Sequence, residues 1–187
     1  DATSQEEMDK VKQDMQNSQD QMQKQQNKKA SESQKSAAER MKEMAQQMNA
    51  QMQAGQMEQM QADMKTLRQL LENLVTLSFD QEELIDDLKR TNVTTPKYVT
   101  LTQDQFRIQD DFKVVEDTLH QLSKRVVQIE SFVTEKVSEI KVNLDESIEQ
   151  LEERKKSVAA NHQQQTMTNL NDLALMLSEV MSQMQQQ

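Results

Sequence analysis

The sequence predicts an all-α protein: a long antiparallel helical hairpin, or coiled-coil-like bundle, with a short extra helix at its tip. Three observations carry that expectation. One glycine and one proline in 187 residues leave almost no punctuation for turns. Only 34% of the residues are apolar, none is tryptophan, and mean hydropathy is -0.93. That is too little apolar surface for a compact globular core, but it suffices for helices that each bury one narrow stripe. Apolar side chains also recur at alternating three- and four-residue steps over most of the chain, which is the pattern of such a stripe.

Residues 1–36 are rich in Gln, Lys and Ser. Met8, Met15 and Met22 fill one heptad position there, and the other is mostly polar. This segment is expected to be weakly helical or frayed, with a break in the polar stretch 28–36. Residues 37–77 read as a helix whose seam starts as Met41, Ala45, Met48 and Met52. After Gly55 it resumes as Met57, Met60, Met64, Leu67, Leu71 and Leu74. Gly55 disfavours the helix by about 1 kcal/mol relative to alanine, so a local kink is allowed there.

Residues 80–90 read as a separate short tip helix. Asp80 and Glu83 have capping-box spacing, and Phe79 and Leu84 are placed as a hydrophobic staple. A bend over 91–102 contains the single proline, Pro96, and the single tyrosine, Tyr98. Thr102 with Gln105, and Leu101 with Phe106, repeat the capping grammar, so the chain is expected to restart as helix at Gln103. Residues 103–184 then form the long return helix. Its seam is Ile108, Phe112, Val115, Leu119, Leu122, Val126, Ile129 and Val133, continuing to Met184 with a possible interruption near 159–168. Leu84, Ile85, Leu88, Tyr98, Leu101, Phe106 and Phe112 form the expected core of the tip.

The chemistry this chain can support is narrow. A formal charge of -10 disfavours nucleic acid and anionic membrane surfaces, both of which need a basic face to displace counterions. There is no cysteine, hence no disulfide or thiol chemistry. No run approaches the ~18–20 apolar residues of a membrane span, so the fragment itself is not expected to insert in a bilayer. Its start at Asp1 is read as a processed product or an excerpt of something longer. His120 and His162 are far apart in sequence and have no neighbouring nucleophile. Acidic neighbours such as Asp86-Asp87 diverge by about 100° on a helix and do not converge on one ligand. No phosphate-binding glycine loop, zinc spacing or calcium loop occurs. The expectation is a non-enzyme without catalytic residues, cofactor or dedicated metal site.

The methionines are the distinctive feature. Met41, Met48, Met52, Met57, Met60 and Met64 are read as one thioether-lined helical face, the candidate partner-binding surface. Such a face suits an adaptable apolar contact with another helix, from the same or a partner protein, as a homo- or hetero-oligomer. The alternative is a soft metal such as Cu(I), for which thioethers are suitable ligands. The seam passes into Leu and Val beyond Met64 without a change of phase, which favours packing over metal.

The run from Leu67-Arg68-Gln69-Leu70-Leu71 through Leu77-Ser78-Phe79-Asp80-Gln81-Glu82-Glu83-Leu84 resembles a family of large, membrane-anchored helical proteins of unknown function from Bacteroidota. Leu101-Thr102-Gln103-Asp104-Gln105-Phe106-Arg107 and Asn169-Leu170-Asn171-Asp172-Leu173-Ala174-Leu175-Met176-Leu177-Ser178-Glu179 carry the same resemblance. It implies an excerpt of a longer, membrane-anchored chain, in the cell envelope on the periplasmic side of a bacterial inner membrane. It brings no active site. Together these readings lead to a scaffold or spacer module that acts through helix contacts.

Overall fold

In the computed structural model, residues 2–24 and 27–186 are described. The chain is all-α: α1 Ala2–Gln23, α2 Asn27–Arg90, α3 Pro96–Ser123, α4 Val127–Glu152 and α5 Lys156–Gln185. No strand occurs among the described residues. Contacts divide the chain into two compact units, Asp1–Gln59 and Met60–Gln187, and α2 contributes to both.

In the first unit, the polar opening is more regular than its composition suggests. α1 is helical to Gln23, and α2 passes through the stretch 28–36 without the expected break. A polar clasp joins the two helices. Ser36 Oγ donates to Asp14 Oδ2 at 3.1 Å, and Arg40 Nε lies 3.4 Å from the same oxygen. Beside this clasp only Val11 and Ala37 are buried apolar side chains among the described residues, with Ser18 as a buried polar one.

The second unit is a four-helix bundle made by the C-terminal part of α2 with α3, α4 and α5. Its core runs from Leu67 and Leu70 through Phe112, Leu119 and Ile129 to Leu144, Leu170 and Leu177, all buried. Two expectations are corrected here. α2 does not end near Leu77 and restart at Asp80; it is unbroken to Arg90. Leu77, Gln81, Leu84 and Leu88 continue one buried stripe in 4-3-4 steps, and a break at Asp80 would forfeit that packing. The single return helix over 103–184 is instead three helices, with turns at 124–126 and 153–155. The stretch 159–168, where an interruption was expected, lies inside α5.

Within the bundle each connection has a local cause. Between α2 and α3 the bend is confined to residues 91–95. Thr95 is extended (φ -90, ψ 152) ahead of Pro96, which occupies the first turn of α3, as proline's fixed φ and missing N–H favour. Asn92 Oδ1 accepts the Thr94 backbone N–H at 3.1 Å, and Thr95 Oγ1 donates to the Asn92 carbonyl at 2.7 Å. Helix therefore starts at Pro96, earlier than Gln103, and the Thr102–Gln105 capping box does not form. Thr102 Oγ1 donates instead to the Tyr98 carbonyl at 3.1 Å.

α4 ends in a Schellman turn. The Arg154 N–H reaches Leu151 O at 3.0 Å and the Lys155 N–H reaches Gln150 O at 2.8 Å. The left-handed position, φ 60, belongs to Arg154, where glycine is the usual occupant. α3 ends where the Arg125 and Val126 N–H groups both bond Leu122 O at 2.9 Å, and buried Val126 anchors that corner.

Contacts across the bundle tie its two ends. Lys156 Nζ donates to the carbonyls of Lys89 at 3.2 Å and Thr91 at 3.0 Å, placing a cation on the C-terminus of α2 where the helix dipole favours it. Tyr98 Oη donates to Leu151 O at 2.9 Å. At the opposite end Arg125 Nε contacts the buried carboxylate of Asp63 at 3.0 Å. Of the expected tip core, Leu84, Ile85, Leu88, Tyr98, Leu101 and Phe112 are buried, but Phe106 is 39% exposed. Its neighbour Gln105 takes the inward position, and one residue further along a helix turns about 100° away.

Candidate interaction surface

A candidate site in this chain is built from methionine, because thioethers are the large apolar side chains that stand exposed in an otherwise polar unit. In the unit Asp1–Gln59, Met41, Met48, Met52 and Met57 are 43%, 56%, 61% and 65% exposed. On α1, Met8, Met15 and Met22 are exposed as well. The uninterrupted helix sets their directions. Steps of seven and four residues keep Met41, Met48 and Met52 on one face, within about 40° of one another. The five-residue step to Met57 swings it about 140° from Met52, so Met57 stands apart from the other three. Met60 and Met64 belong to the other unit, where they are half-buried and packed against the core. The structure thus brings Met41, Met48 and Met52 together and separates them from the remaining three of the expected six.

Gly55 lies in mid-helix, and a Cβ added there would meet nothing within 4 Å. α2 continues through it. Its small size serves no close approach within the described chain.

Each of the two histidines sits beside a polar neighbour. His120 Nε2 lies 3.7 Å from Glu116 Oε1, which also accepts from Lys141 Nζ at 2.9 Å. That hydrogen bond raises the Lys141 ammonium above its ordinary value. His162 Nδ1 is 3.2 Å from Asn143 Oδ1. Among the described residues no group of three His, Asp or Glu side chains could hold a metal ion.

A groove of about 290 Å³ between α2 and α3 is rimmed by Asp80, Glu83, Asp87, Asp104 and Asp111. Lys97 Nζ sits 2.8 Å from Asp87 Oδ2, and its hydrogen bond holds that carboxyl below the ordinary carboxylate value. Arg107 pairs with Asp104. The groove floor of Leu84, Leu101 and Ile108 is already sealed in the core, which leaves a solvated acidic rim with little apolar surface to offer.

No described helix is long and apolar enough to cross a membrane. The feature that sequence reasoning passed over is polar and internal: Gln81, Gln105 and Gln163 are each fully buried. The signal for it was available, since Gln81 stands between Leu77 and Leu84 in the seam and Gln105 between Leu101 and Ile108. Comparison with protein-family models, with curated proteins and with solved structures finds no match.

Proposed function

We propose that this chain is a non-catalytic structural and interaction module, a scaffold or spacer that engages an apolar helix through the face of Met41, Met48 and Met52. One observation carries the reading: these side chains are exposed in a unit whose described buried apolar side chains are only Val11 and Ala37. Two polar helices with so little core gain stability when a third surface covers them. Methionine is suited to that contact because its unbranched, polarizable side chain adapts to irregular partners. The resemblance of residues 67–84, 101–107 and 169–179 to membrane-anchored Bacteroidota proteins supports placing the module in the cell envelope, as part of a longer chain.

The test is methionine oxidation by dilute peroxide, read residue by residue by mass spectrometry. The full chain is probed at rising concentration and with a synthetic Leu-faced amphipathic helix. Protection of Met41, Met48 and Met52 in either case, lost when the three are replaced by Gln, is the expected result. Oxidation of all three at the rate of a free methionine under both conditions refutes the reading. A parallel titration with Cu(I) separates the metal alternative, which requires stoichiometric binding that the Gln variant lacks.

A further inference from the structure

Three glutamines lie at one level of the four-helix bundle. Gln81 on α2 and Gln105 on α3 exchange a reciprocal amide pair, each Nε2 donating to the other's Oε1 at 3.0 Å. Gln163 on α5 donates through Nε2 to Gln105 Oε1 at 2.7 Å. All three are fully buried, and Gln163 Oε1 has no hydrogen-bond partner among the described residues. A network left partly unsatisfied in a low-dielectric interior is a poor source of stability compared with apolar side chains of similar volume. Its value lies elsewhere.

We infer that this amide layer is a register lock, which selects the one alignment in which α2, α3 and α5 pack. The need for a lock follows from the seam. Buried positions of α5 run Ala159, Gln163, Thr166, Leu170, Leu173, Leu177, Val180 and Met184 in strict 4-3 steps, and a stripe of that period fits its neighbours nearly as well after a slip of seven residues. The positions seven residues from the glutamines are Leu74 and Leu88 on α2, Tyr98 and Phe112 on α3, and Leu170 on α5, all in the core, with Lys156 at the first turn of α5 on the other side of Gln163. A slipped helix therefore sets its buried amide against apolar side chains and strands the amides it left. The buried hydroxyls of Ser147 on α4 and Thr166 on α5 satisfy themselves on their own helices, at Leu144 O and His162 O. They carry no such constraint. The glutamines, by contrast, bind helix to helix.

The test compares two variants of the full chain with the wild type by urea unfolding, amide NMR and gel filtration. Q81L/Q105L/Q163L is expected to resist urea better than wild type while losing uniqueness, seen as multiple resonances per core residue or as exchanged oligomers. The second variant adds L74Q, F112Q and L170Q, moving the layer by one heptad on all three helices. It is expected to return to one set of resonances despite unfolding at lower urea. A triple Leu variant as conformationally unique as wild type overturns the inference. So does a triple variant less stable than wild type, because the layer would then be a stability element, and so does failure of the relocated layer to restore uniqueness.

Discussion

Tyr98→Phe is the sharpest probe of how the bundle is closed. The phenol is 3% exposed, and its hydroxyl donates to the carbonyl of Leu151, tying the start of α3 to the end of α4 across 53 residues of sequence. Phenylalanine keeps the ring and removes only the hydroxyl, so no cavity larger than one oxygen is opened. Leu151 O retains the Arg154 N–H at 3.0 Å and is not orphaned by the change. The loss is then that of a single net hydrogen bond, about 1 kcal/mol, measurable as a lowered urea midpoint at unchanged slope.

The same residue sets a pH dependence. Burial pushes the phenol above its ordinary 10.0, opposed by the nearby Arg154 charge. The folded state thus holds the proton more tightly than the unfolded chain, so this stabilisation is complete below the ordinary value and is lost as pH rises through the raised one. Lys136, Lys141 and Lys155, whose glutamate hydrogen bonds raise them above 10.5, lose stability over a similar range in both proteins. The difference between wild type and variant isolates Tyr98. It is expected to shrink above about pH 10, and phenolate absorbance, clean in a chain with one tyrosine and no tryptophan, is expected to appear late in the folded protein. A gap that stays constant or widens with pH, or a phenolate that forms at the ordinary value, refutes the reasoning.

Three further sets of substitutions test the packing and the turns. Leu74→Ala removes a fully buried side chain and is expected to cost about 2–5 kcal/mol in urea unfolding, whereas Phe106→Ala, at a site already 39% exposed, is expected to cost less than Leu74→Ala because part of the ring is in water before the change. Gly55→Ala places a methyl group in open space on an unbroken helix and should stabilise α2 by about 0.5–1 kcal/mol, seen as slower amide exchange around residue 55. Arg154→Gly relieves a left-handed backbone at φ 60 and should add about 1 kcal/mol, less whatever the Arg154 contact with the Val93 carbonyl at 3.3 Å contributes. A loss of stability would show that this contact outweighs the strain.

Helix content and the core face are legible in the sequence because they rest on periodicity. Every position of the seam from Ile108 to Val133 is buried, as its spacing predicts. The turns are not legible, because the sequence withholds the residues that announce them. Arg154 occupies a position that glycine usually marks, and Ser123-Lys124-Arg125-Val126 turns a corner with no breaker while keeping Leu122, Val126 and Ile129 in phase. A helix stop that preserves the apolar phase cannot be told from continuous helix by pattern. The converse error arises at Asp80 and Gln105, where short capping grammar is present but tertiary burial of Gln81 and Gln105 decides the outcome. Local signals worth about 1 kcal/mol do not outweigh a stripe of buried leucines.

The candidate site is legible as a set of residues but not as a surface, and the reason bears on function. Counting methionines along α2 gives one stripe, yet the five-residue step from Met52 to Met57 breaks it on a continuous helix, and the unit boundary at Gln59 and Met60 falls just beyond. Chemistry changes at the same place. Beyond it the core is mainly leucine, valine and isoleucine, whose limited rotamers specify one arrangement, reinforced by the glutamine layer. Before it the large apolar side chains are methionines apart from Val11, and methionines fit many arrangements and specify none. Under the proposed function, a chain that places its specifying residues in one unit and its adaptable ones in the other separates self-assembly from recognition. The bundle Met60–Gln187 supplies its own packing partners, and on the reading proposed above the capacity to accept a foreign helix resides in Asp1–Gln59.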